Sequence, residues 1–406
     1  MVIIRRETEL EKLKHMGDWV WICGRRKTGK TFFVKRFLDF DEYFFVKRDG
    51  GILDKENREI SFETFLELFR RMSGKRRIVI DEFHRIREDF FDYLHASKKG
   101  KLVAVSSTLW LSKRILGKGS PLMGLFSMLT FGLADEKDVL ASLKHVRRVN
   151  GKEAVEASTY LREPILAFDY KPPIREYLAR FLEANRLAVN EMIGEIFTEE
   201  ERRLSLVYEG ILRAAASGKG KSTDISSYLF SRRLIGKDNP GFIQRYLDVL
   251  VKIGLLERVE VYGKRSFVYR NVSPLFDLHF YLDEKYGYVE NQIPLGFIRK
   301  VIDEKIPFHV ERFFENLLAK HYGLKKVVLE KPEVDIGLVR FKRLDTVAEV
   351  KWKGRVGTND LKNAEENMNS YRCRRVLIVP DKRRLGKKPE SMLLLDAPDT
   401  LKFRFP

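Results

Sequence analysis

The segment WICGRRKTGKTFFVKRF, residues 21–37, decides the fold of the N-terminal part of the chain. Gly24, four further residues and then Gly29-Lys30-Thr31 fit the spacing G-x-x-x-x-G-K-[ST]. The apolar run at 19–23 is typical of a buried strand, and apolar residues recur at helical intervals after the motif. A strand that turns through glycines into a helix directs backbone N–H groups and the helix dipole at an anion. The segment therefore predicts a phosphate-binding loop rather than a solvated turn in a lysine-rich chain.

A second buried strand supplies the carboxylates that such a loop needs. The segment KRRIVIDEFHRI, residues 75–86, ends its apolar run with Asp81 and Glu82. In open α/β sheets ligands bind at the carboxyl ends of the strands. We expect Asp81 and Thr31 to hold Mg²⁺, and Glu82 to polarise the attacking water.

A third buried strand, residues 101–108, ends in hydroxyl side chains. Ser107 is expected to sense the γ-phosphate from this neighbouring strand, with Ser106 and Thr108 as alternatives. Lys30 is expected to act in catalysis as well as in binding, because the lysine of this motif reaches the β- and γ-phosphates. The residues predicted to bind ATP are Arg6, Gly24, Arg25, Arg26, Lys27, Thr28, Gly29, Lys30, Thr31 and Phe32.

Composition indicates a multi-domain, basic protein. A chain of 406 residues has room for two to four domains. Lys and Arg number 77 against 58 Asp and Glu, which leaves a net charge of +19 and indicates a polyanionic partner such as nucleic acid. A thermophile's charged surface would explain the abundance of both signs but not the imbalance. The distant Cys23 and Cys373 predict a reducing cytoplasm, and the lack of a long apolar run predicts no membrane segment.

Two further segments carry a family resemblance. IIRRETELEKL (3–13), with Arg6 and Glu9, and YLREP (160–164) resemble archaeal and bacterial P-loop ATPases related to AAA+ and STAND proteins. The resemblance implies that the first segment packs beside the nucleotide base. Such proteins often carry a Gly-Arg near a subunit boundary, where this chain has Gly124-Leu125. The arginine finger and a homo-oligomeric state therefore stay open, and the candidate fingers are Arg114, Arg147, Arg148 and Arg162.

Residues 206–272 have the rhythm of three helices followed by two strands. In the longest helix Ile243, Tyr246, Leu247 and Leu250 recur on one face. This segment resembles a winged helix-turn-helix, whose second helix enters a major groove. The alternative is a winged helix used only for packing over the ATPase. The resemblance implies nucleic-acid contacts from Arg232, Arg233, Gln244, Arg245, Lys264 and Arg265.

The C-terminal third contains a helix, a strand pair and a later apolar strand. The helix 309–323 carries Glu311 and Glu315, and residues 333–353 read as two strands around a turn at 342–345. Folding this hairpin brings Asp335 near Glu349 and Lys351. The order resembles the PD-(D/E)xK restriction-endonuclease-like core, with RRVLIVPDK (374–382) as its next strand.

That resemblance implies a second metal site. Asp335, Glu349 and Glu315 would bind Mg²⁺, and Glu315 is preferred to Glu311 because it follows Phe314. Glu349 and Lys351 would be catalytic, the lysine activating water or steadying the phosphorane.

The sequence thus predicts an α/β protein in four segments: a P-loop NTPase with a parallel sheet (1–150), a helical lid or linker (151–202), a winged helix (203–275) and a nuclease-like α/β domain (276–406). The expected function is a Mg-dependent, DNA-associated ATPase with a metal-dependent endonuclease domain. The alternatives are an ATP-switched DNA- or protein-binding regulator with an inactive nuclease-like domain, and a chaperone-like remodeller of proteins.

Overall fold

The computed structural model describes residues 2–386, 389 and 391–405. Its secondary structure is organised around two seven-stranded sheets, one N-terminal and one built from residues after 255. Across these described residues, none of the helices combines the length and the apolar character needed to cross a bilayer.

The N-terminal sheet has a parallel centre and an antiparallel edge. Its strands are β1 (Trp19–Cys23), β2 (Glu42–Val46), β3 (Ile52–Leu53), β4 (Glu59–Ile60), β5 (Arg77–Asp81), β6 (Lys101–Ser106) and β7 (Ser127–Thr130). The order is β4-β3-β2-β5-β6-β1-β7, and the five strands from β2 to β7 in this order are parallel. The three apolar runs singled out in the sequence therefore lie side by side, and the prediction of an α/β P-loop architecture is confirmed.

Helices cover both faces of this sheet. They are α1 (Glu7–Lys14), α2 (Lys30–Phe37), α3 (Phe62–Met72), α4 (Asp89–Ala96) and α5 (Trp110–Ile115). Because alternate residues of a strand point to opposite faces, Trp19 and Trp21 pack with the phenylalanines of α3 and α4, while Val20 and Ile22 pack with α1 and α2. Strand β1 is buried along its whole length, as expected of a central parallel strand.

The middle of the chain is helical. Its helices are α6 (Glu136–Leu143), α7 (Gly151–Tyr160), α8 (Pro164–Ala167), α9 (Ile174–Glu199), α10 (Leu206–Ala216), α11 (Ser222–Ser231), α12 (Pro240–Lys252), α13 (Pro274–Tyr286) and α14 (Leu295–Tyr322). Helix α9 is kinked at Asn185, and α14 continues through Pro307. Helix α14 begins 14 residues before the predicted position 309, because packing against α9 overrides the local effect of the proline.

The second sheet joins the hairpin and the C-terminal strands. These are β8 (Leu256–Val261), β9 (Phe267–Asn271), β10 (Lys325–Glu330), β11 (Glu333–Arg340), β12 (Arg343–Val350), β13 (Arg374–Val379) and β14 (Leu393–Asp396), in the order β14-β13-β12-β11-β10-β8-β9. Helices α15 (Thr358–Asn369) and α16 (Ala397–Leu401) complete the chain. Strand β8 pairs in parallel with β10, so the sheet runs across the predicted boundary at 275/276.

The turn of the β11–β12 hairpin differs from the prediction. It lies at Phe341-Lys342 rather than at 342–345, and both residues have positive φ, 47° and 69°. Two positive φ angles give the twist that a two-residue hairpin requires. Phe341 is 95% exposed and the pair has none of the usual Asn-Gly chemistry, so the sequence indicated a turn here but not its position.

One large hydrophobic core extends from the lid helices to the second sheet. It includes buried residues of α7, α9, α12, α13 and β12, for example Tyr160, Phe197, Leu247, Phe280 and Ala348. The predicted domain boundaries at 202/203 and 275/276 therefore cross a shared core. These two boundaries stay predictions about the division of the sequence, and they do not mark separate hydrophobic cores.

Candidate functional site

The loop between β1 and α2 uses its two motif glycines for different reasons. At Gly24 a Cβ atom would lie 1.9 Å from the carbonyl oxygen of Phe131, so no side chain fits there. Gly29 caps α2 with a φ of +87°, in the left-handed region that favours glycine. The glycines thus let the loop pass close to the β7 end and turn into the helix.

Lys30 is the first residue of α2 and is buried beneath the loop. Its Nζ donates to the carbonyl oxygens of Gly24 and Arg25, both at 2.9 Å. Burial lowers the pKa of Lys30 to about 8, against the raising effect of the Glu82 and Asp81 carboxylates. These carbonyl contacts hold the ammonium inside the loop, where a phosphate would compete for it.

Thr31 and Asp81 meet at the edge of the sheet. The Thr31 hydroxyl donates to Asp81 Oδ2 at 2.7 Å, and the Tyr43 hydroxyl donates to the same oxygen at 2.7 Å. Burial raises the pKa of Asp81, while the hydrogen bonds from Thr31 and Tyr43 lower it. A hydroxyl and a carboxylate in contact are hard oxygen donors of the kind that Mg²⁺ prefers, so this pair fits the ion.

Glu82 follows with a left-handed backbone, φ 55°, which turns its side chain toward the end of β6. The Ser107 hydroxyl donates to Glu82 Oε2 at 2.6 Å. Ser106 instead contacts His84 Nδ1 at 3.1 Å, and Thr108 contacts Ser106. Of the three hydroxyls considered in the sequence, Ser107 is the one in contact with the acid; its role stays a prediction.

A carboxylate that the sequence analysis missed lies beside this group. Glu199, the last residue of α9, accepts from Arg26 Nη1 at 2.6 Å, from Arg85 Nη2 at 2.8 Å and from Ser107 Oγ at 3.2 Å. Burial would raise the pKa of Glu199, but hydrogen bonds from His84 and Arg85 hold it well below its usual range. Its only signal in the sequence is a run of three glutamates, residues 199–201.

Glu82, His84 and Glu199 offer ligand atoms that all lie within 4.8 Å of one another. Arg26 and Arg85 already pair with Glu199, at 2.6 and 2.8 Å, and two positive guanidinium groups so close to the carboxylate would repel a bound cation. The cluster is therefore better described as an ion-pair network than as a metal site.

An apolar cavity of about 420 Å³ opens on the other side of the loop. Phe32, Pro164 and Phe168 line it together with Thr28 and Gly29 of the loop. Phe32 and Phe168 are about half exposed or more, at 50% and 61%. Aromatic side chains left open beside a phosphate loop suit the face of a base.

Arg6 and Lys27 also border this cavity, but Arg6 mainly supports the loop. Its Nη2 donates to the carbonyl oxygens of Thr28 at 2.8 Å and Gly132 at 2.9 Å, and its Nη1 pairs with Glu9. Burial lowers the pKa of Arg6, with Glu9 raising it. The guanidinium thus ties α1 to the loop from behind.

Arg25, predicted to bind ATP, points away from the loop. It forms a buried ion pair with Glu163 of the YLREP segment and lies over the Phe276 ring at 4.9 Å. Arg162 of the same segment pairs with Glu136 at 2.7 Å. The segment therefore fastens the phosphate loop to the helical part of the chain.

A second group of carboxylates lies on the C-terminal sheet. Asp335 Oδ2 accepts from the backbone N–H of Val350 at 2.7 Å, and Lys351 pairs with Glu349. Burial, and next the Asp335 charge, raise the pKa of Glu349; burial also raises that of Asp335. Asp335, Glu349 and Lys351 are thus brought together as the sequence predicts.

The helix glutamate that belongs to this group is Glu311, not Glu315. Burial and then the Asp335 carboxylate raise the pKa of Glu311 to about 8, with Lys351 opposing the shift. Glu315, one turn further along α14, instead accepts from Arg270 Nη1 at 3.0 Å and is buried. Glu315 thus pairs with Arg270 of β9, whereas the acids whose charges act on Glu311 are Asp335 and Glu349.

The residues predicted to contact DNA divide into two groups. Arg232, Arg233, Arg245, Lys264 and Arg265 are exposed. Two of the five pair with acids: Arg232 with Glu284, and Lys264 with Glu330 at 2.5 Å. Gln244 is turned inward, since its amide donates to the Tyr269 hydroxyl at 3.0 Å and to Asp248 at 3.2 Å.

Comparison with known proteins bears on the N-terminal sheet. A family model described as an AAA domain matches residues 17–132, which include β1 to β7, the phosphate loop and the Asp81-Glu82 pair. These residues form a P-loop ATPase domain of the AAA class. No curated protein matches the chain.

Three solved structures are similar to a larger part of the chain. A Walker-type ATPase of Pyrococcus abyssi is 18% identical over 68% of this chain and 96% of its own, with a TM-score of 0.46. The ORC2 protein of Aeropyrum pernix, solved as ADPNP–ADP complexes, is 16% identical over 74% and 91%, with a TM-score of 0.39. Drosophila ORC bound to DNA is 15% identical over 68% and 86%, with a TM-score of 0.25. At these scores the likenesses carry no conclusion about this chain.

Proposed function

We propose that the chain is a Mg-dependent ATPase whose nucleotide cycle acts on DNA through the helical middle and the C-terminal sheet. The observation that carries the ATP part is the 2.7 Å contact between the Thr31 hydroxyl and the Asp81 carboxylate, beside Lys30 and Glu82. A phosphate loop, an oxygen pair for a metal and an adjacent acid are the parts that nucleotide hydrolysis requires.

Each residue of the site has a distinct task in this proposal. Lys30 exchanges its two carbonyl partners for phosphate oxygens, since a phosphate is the stronger acceptor. Thr31 and Asp81 would hold Mg²⁺, which supplies neutralisation of charge on the β- and γ-oxygens when bound. Glu82 orients the attacking water, and Ser107 fixes the Glu82 carboxylate through its 2.6 Å hydrogen bond.

The base is proposed to enter the apolar cavity beside the loop. Phe32 and Phe168 would stack on the ring and Pro164 would close the side next to Gly29. No charged side chain is needed for this contact, because burial of apolar surface supplies the binding energy.

We infer a DNA-facing role for the segment from α10 to β9. Three helices followed by an antiparallel hairpin have the order of a winged helix. Arg233, Arg245 and Arg265 are exposed and have no acidic partner among the described residues within ion-pair distance. With a net charge of +19, these side chains support contact with phosphates.

The C-terminal carboxylates support a metal-dependent nuclease of the PD-(D/E)xK kind. Asp335, Glu349 and Glu311 would bind the ion, which lowers the pKa of a bound water, and Lys351 lies against Glu349 to stabilise the phosphorane. The raised carboxyl pKa values fit a site that awaits a divalent cation, since like charges in a desolvated cluster disfavour ionisation.

A specific observation favours the alternative, an ATP-switched regulator without cleavage. Within the described part of the chain, the oxygens of Asp335, Glu349 and Glu311 are not all within 4.8 Å of one another. The β8–β9 hairpin of the predicted winged helix is also part of the second sheet, because β8 pairs with β10, and the Gln244 side chain is turned inward. The sheet pairing of the hairpin and the inward Gln244 suit a winged helix that packs against the protein rather than against DNA.

One assay tests the proposed ATP hydrolysis, and a second separates a nuclease from a regulator without cleavage. ATP hydrolysis by the wild type should be lost in Glu82→Gln, while binding of ATP persists. Plasmid DNA is then incubated with Mg²⁺ or Mn²⁺, with Glu349→Ala as the matched variant. Metal-dependent cutting that Glu349→Ala abolishes supports the nuclease, and no cutting under any nucleotide condition favours the regulator.

A further inference from the structure

Three arginines from different parts of the AAA domain converge on Glu199. Arg26 comes from the phosphate loop, Arg48 follows β2, and Arg85 follows the acidic pair at the end of β5. Their nitrogens lie 2.6, 3.5 and 2.8 Å from the Glu199 oxygens. Glu195, one turn earlier on α9, also contacts Arg26 at 3.0 Å, so three guanidinium groups face two carboxylates.

The Glu199 carboxylate also touches the predicted hydrolytic group. Ser107 Oγ lies 3.2 Å from Glu199 and 2.6 Å from Glu82, and His84 Nε2 lies 3.4 Å from Glu199. The Glu199 carboxylate thus contacts Arg26 of the phosphate loop, Ser107 beside Glu82, and the two further arginines. In a P-loop fold this is the side of the site toward which the terminal phosphate projects.

A carboxylate and a terminal phosphate make the same kinds of contact. Both accept charge-assisted hydrogen bonds from arginine, and the phosphate offers more charge and a third oxygen. We propose that Arg26, Arg48 and Arg85 bind the γ-phosphate of ATP, and that Glu199 occupies these arginines when no triphosphate is bound. The inference rests on the proposed binding of ATP and identifies the residues that distinguish ATP from ADP.

The position of Glu199 links this exchange to helix α9. Glu200 accepts the backbone N–H groups of Trp110 at 3.2 Å and Leu111 at 2.8 Å, and Glu201 pairs with Arg114 at 2.8 Å. Three consecutive glutamates therefore dock the end of α9 onto the ATPase domain, and α9 in turn packs along α14, which carries Glu311. Displacement of Glu199 by a γ-phosphate loosens one of the three contacts, whereas ADP leaves all of them in place.

The test compares a non-hydrolysable ATP analogue with ADP, both with Mg²⁺, by calorimetry. Glu199→Gln keeps the shape of the side chain and removes its charge, so we expect the analogue to bind at least about tenfold more tightly while the affinity for ADP stays within about twofold. Arg85→Gln should weaken the analogue by about 10- to 100-fold and spare ADP. Glu201→Gln is the matched control, because its partner Arg114 is outside the arginine group, and should change neither.

ADP binding shows that each variant is folded. An analogue affinity that Glu199→Gln leaves unchanged, or a change of equal size for ADP and the analogue, would overturn the inference while leaving ATP binding intact. A wild type that binds neither nucleotide would instead contradict the proposed function, and this inference with it.

Discussion

Replacing Glu163 by leucine is expected to destabilise the ATPase half of the chain by about 3–5 kcal/mol. Arg25 and Glu163 form an ion pair in which the residues are only 3% and 0% exposed. The substitution leaves the Arg25 guanidinium buried without its partner, over the Phe276 ring. The cost is that of an uncompensated charge, because water cannot reach the group.

The measurement is thermal unfolding followed by tryptophan fluorescence, since Trp19 and Trp21 are buried in β1 beside the loop. For a cooperative unit of about 150–250 residues, such a loss lowers the Tm by about 6–20 °C. Arg25→Met combined with Glu163→Leu removes both charges and should recover most of the stability. Glu7→Gln is the control, because its pair with Arg5 is exposed and contributes at most about 1 kcal/mol.

The reasoning fails if the free energy of unfolding of Glu163→Leu lies within about 1 kcal/mol of that of the Glu7→Gln control. It fails equally if the double variant is no more stable than the single one, because the cost would then come from packing rather than from the unpaired charge.

Three further predictions concern acid, metal and salt. Burial lowers the pKa of His279 to about 3 and of His309 to about 4, from 6.5. In the folded protein both histidines stay neutral, whereas in the unfolded chain they take up a proton below pH 6.5. The free energy of unfolding should therefore fall below pH 6.5 by up to about 1.4 kcal/mol per pH unit for each histidine. The urea midpoint should be lower at pH 5 than at pH 7, and this difference should be smaller in His279→Phe. Since the pKa of Glu311 is about 8 without metal, the affinity for Mn²⁺ should rise from pH 6 to 8 and then level off. Glu311→Gln should weaken Mn²⁺ binding and make the affinity less dependent on pH. If the affinity of the variant changed with pH as much as that of the wild type, Glu311 would be excluded as a ligand. Duplex DNA should bind about 10³–10⁵ times more weakly at 200 than at 50 mM salt if six to ten phosphates are contacted, with Arg245→Gln reducing the slope by about one; salt-independent binding would favour the protein-remodelling alternative.

The nucleotide site was predictable because its parts are local. The G-x-x-x-x-G-K-T spacing and the three apolar runs each sit within about ten residues. Asp81 and Ser107 come at the ends of two of these runs, and Thr31 follows the loop after the third. Parallel pairing of the strands then allows Thr31 to contact Asp81, and Ser107 to contact Glu82. Asp335, Glu349 and Lys351 were predictable for the same reason, since one hairpin sets their positions.

Residues that depend on tertiary packing were not predictable. Glu199 reaches the site from the far end of a 26-residue helix, and its sequence shows only a charged helix end. Glu311 and Glu315 lie one turn apart on α14, and only the packing of β9 shows that Arg270 pairs with Glu315. The parallel pairing of β8 with β10 joins residues 67 positions apart, such as Glu260 and Val327, and no local pattern encodes that choice of partner.

The most direct test of the account is the effect of Mg²⁺ on nucleotide affinity, measured by calorimetry with a non-hydrolysable ATP analogue in the wild type and in Asp81→Asn. Because Thr31 and Asp81 share the proposed metal, Mg²⁺ should tighten binding in the wild type and have little effect in the variant. Equal affinity with and without Mg²⁺ in the wild type, or an undiminished Mg²⁺ effect in Asp81→Asn, would contradict the account.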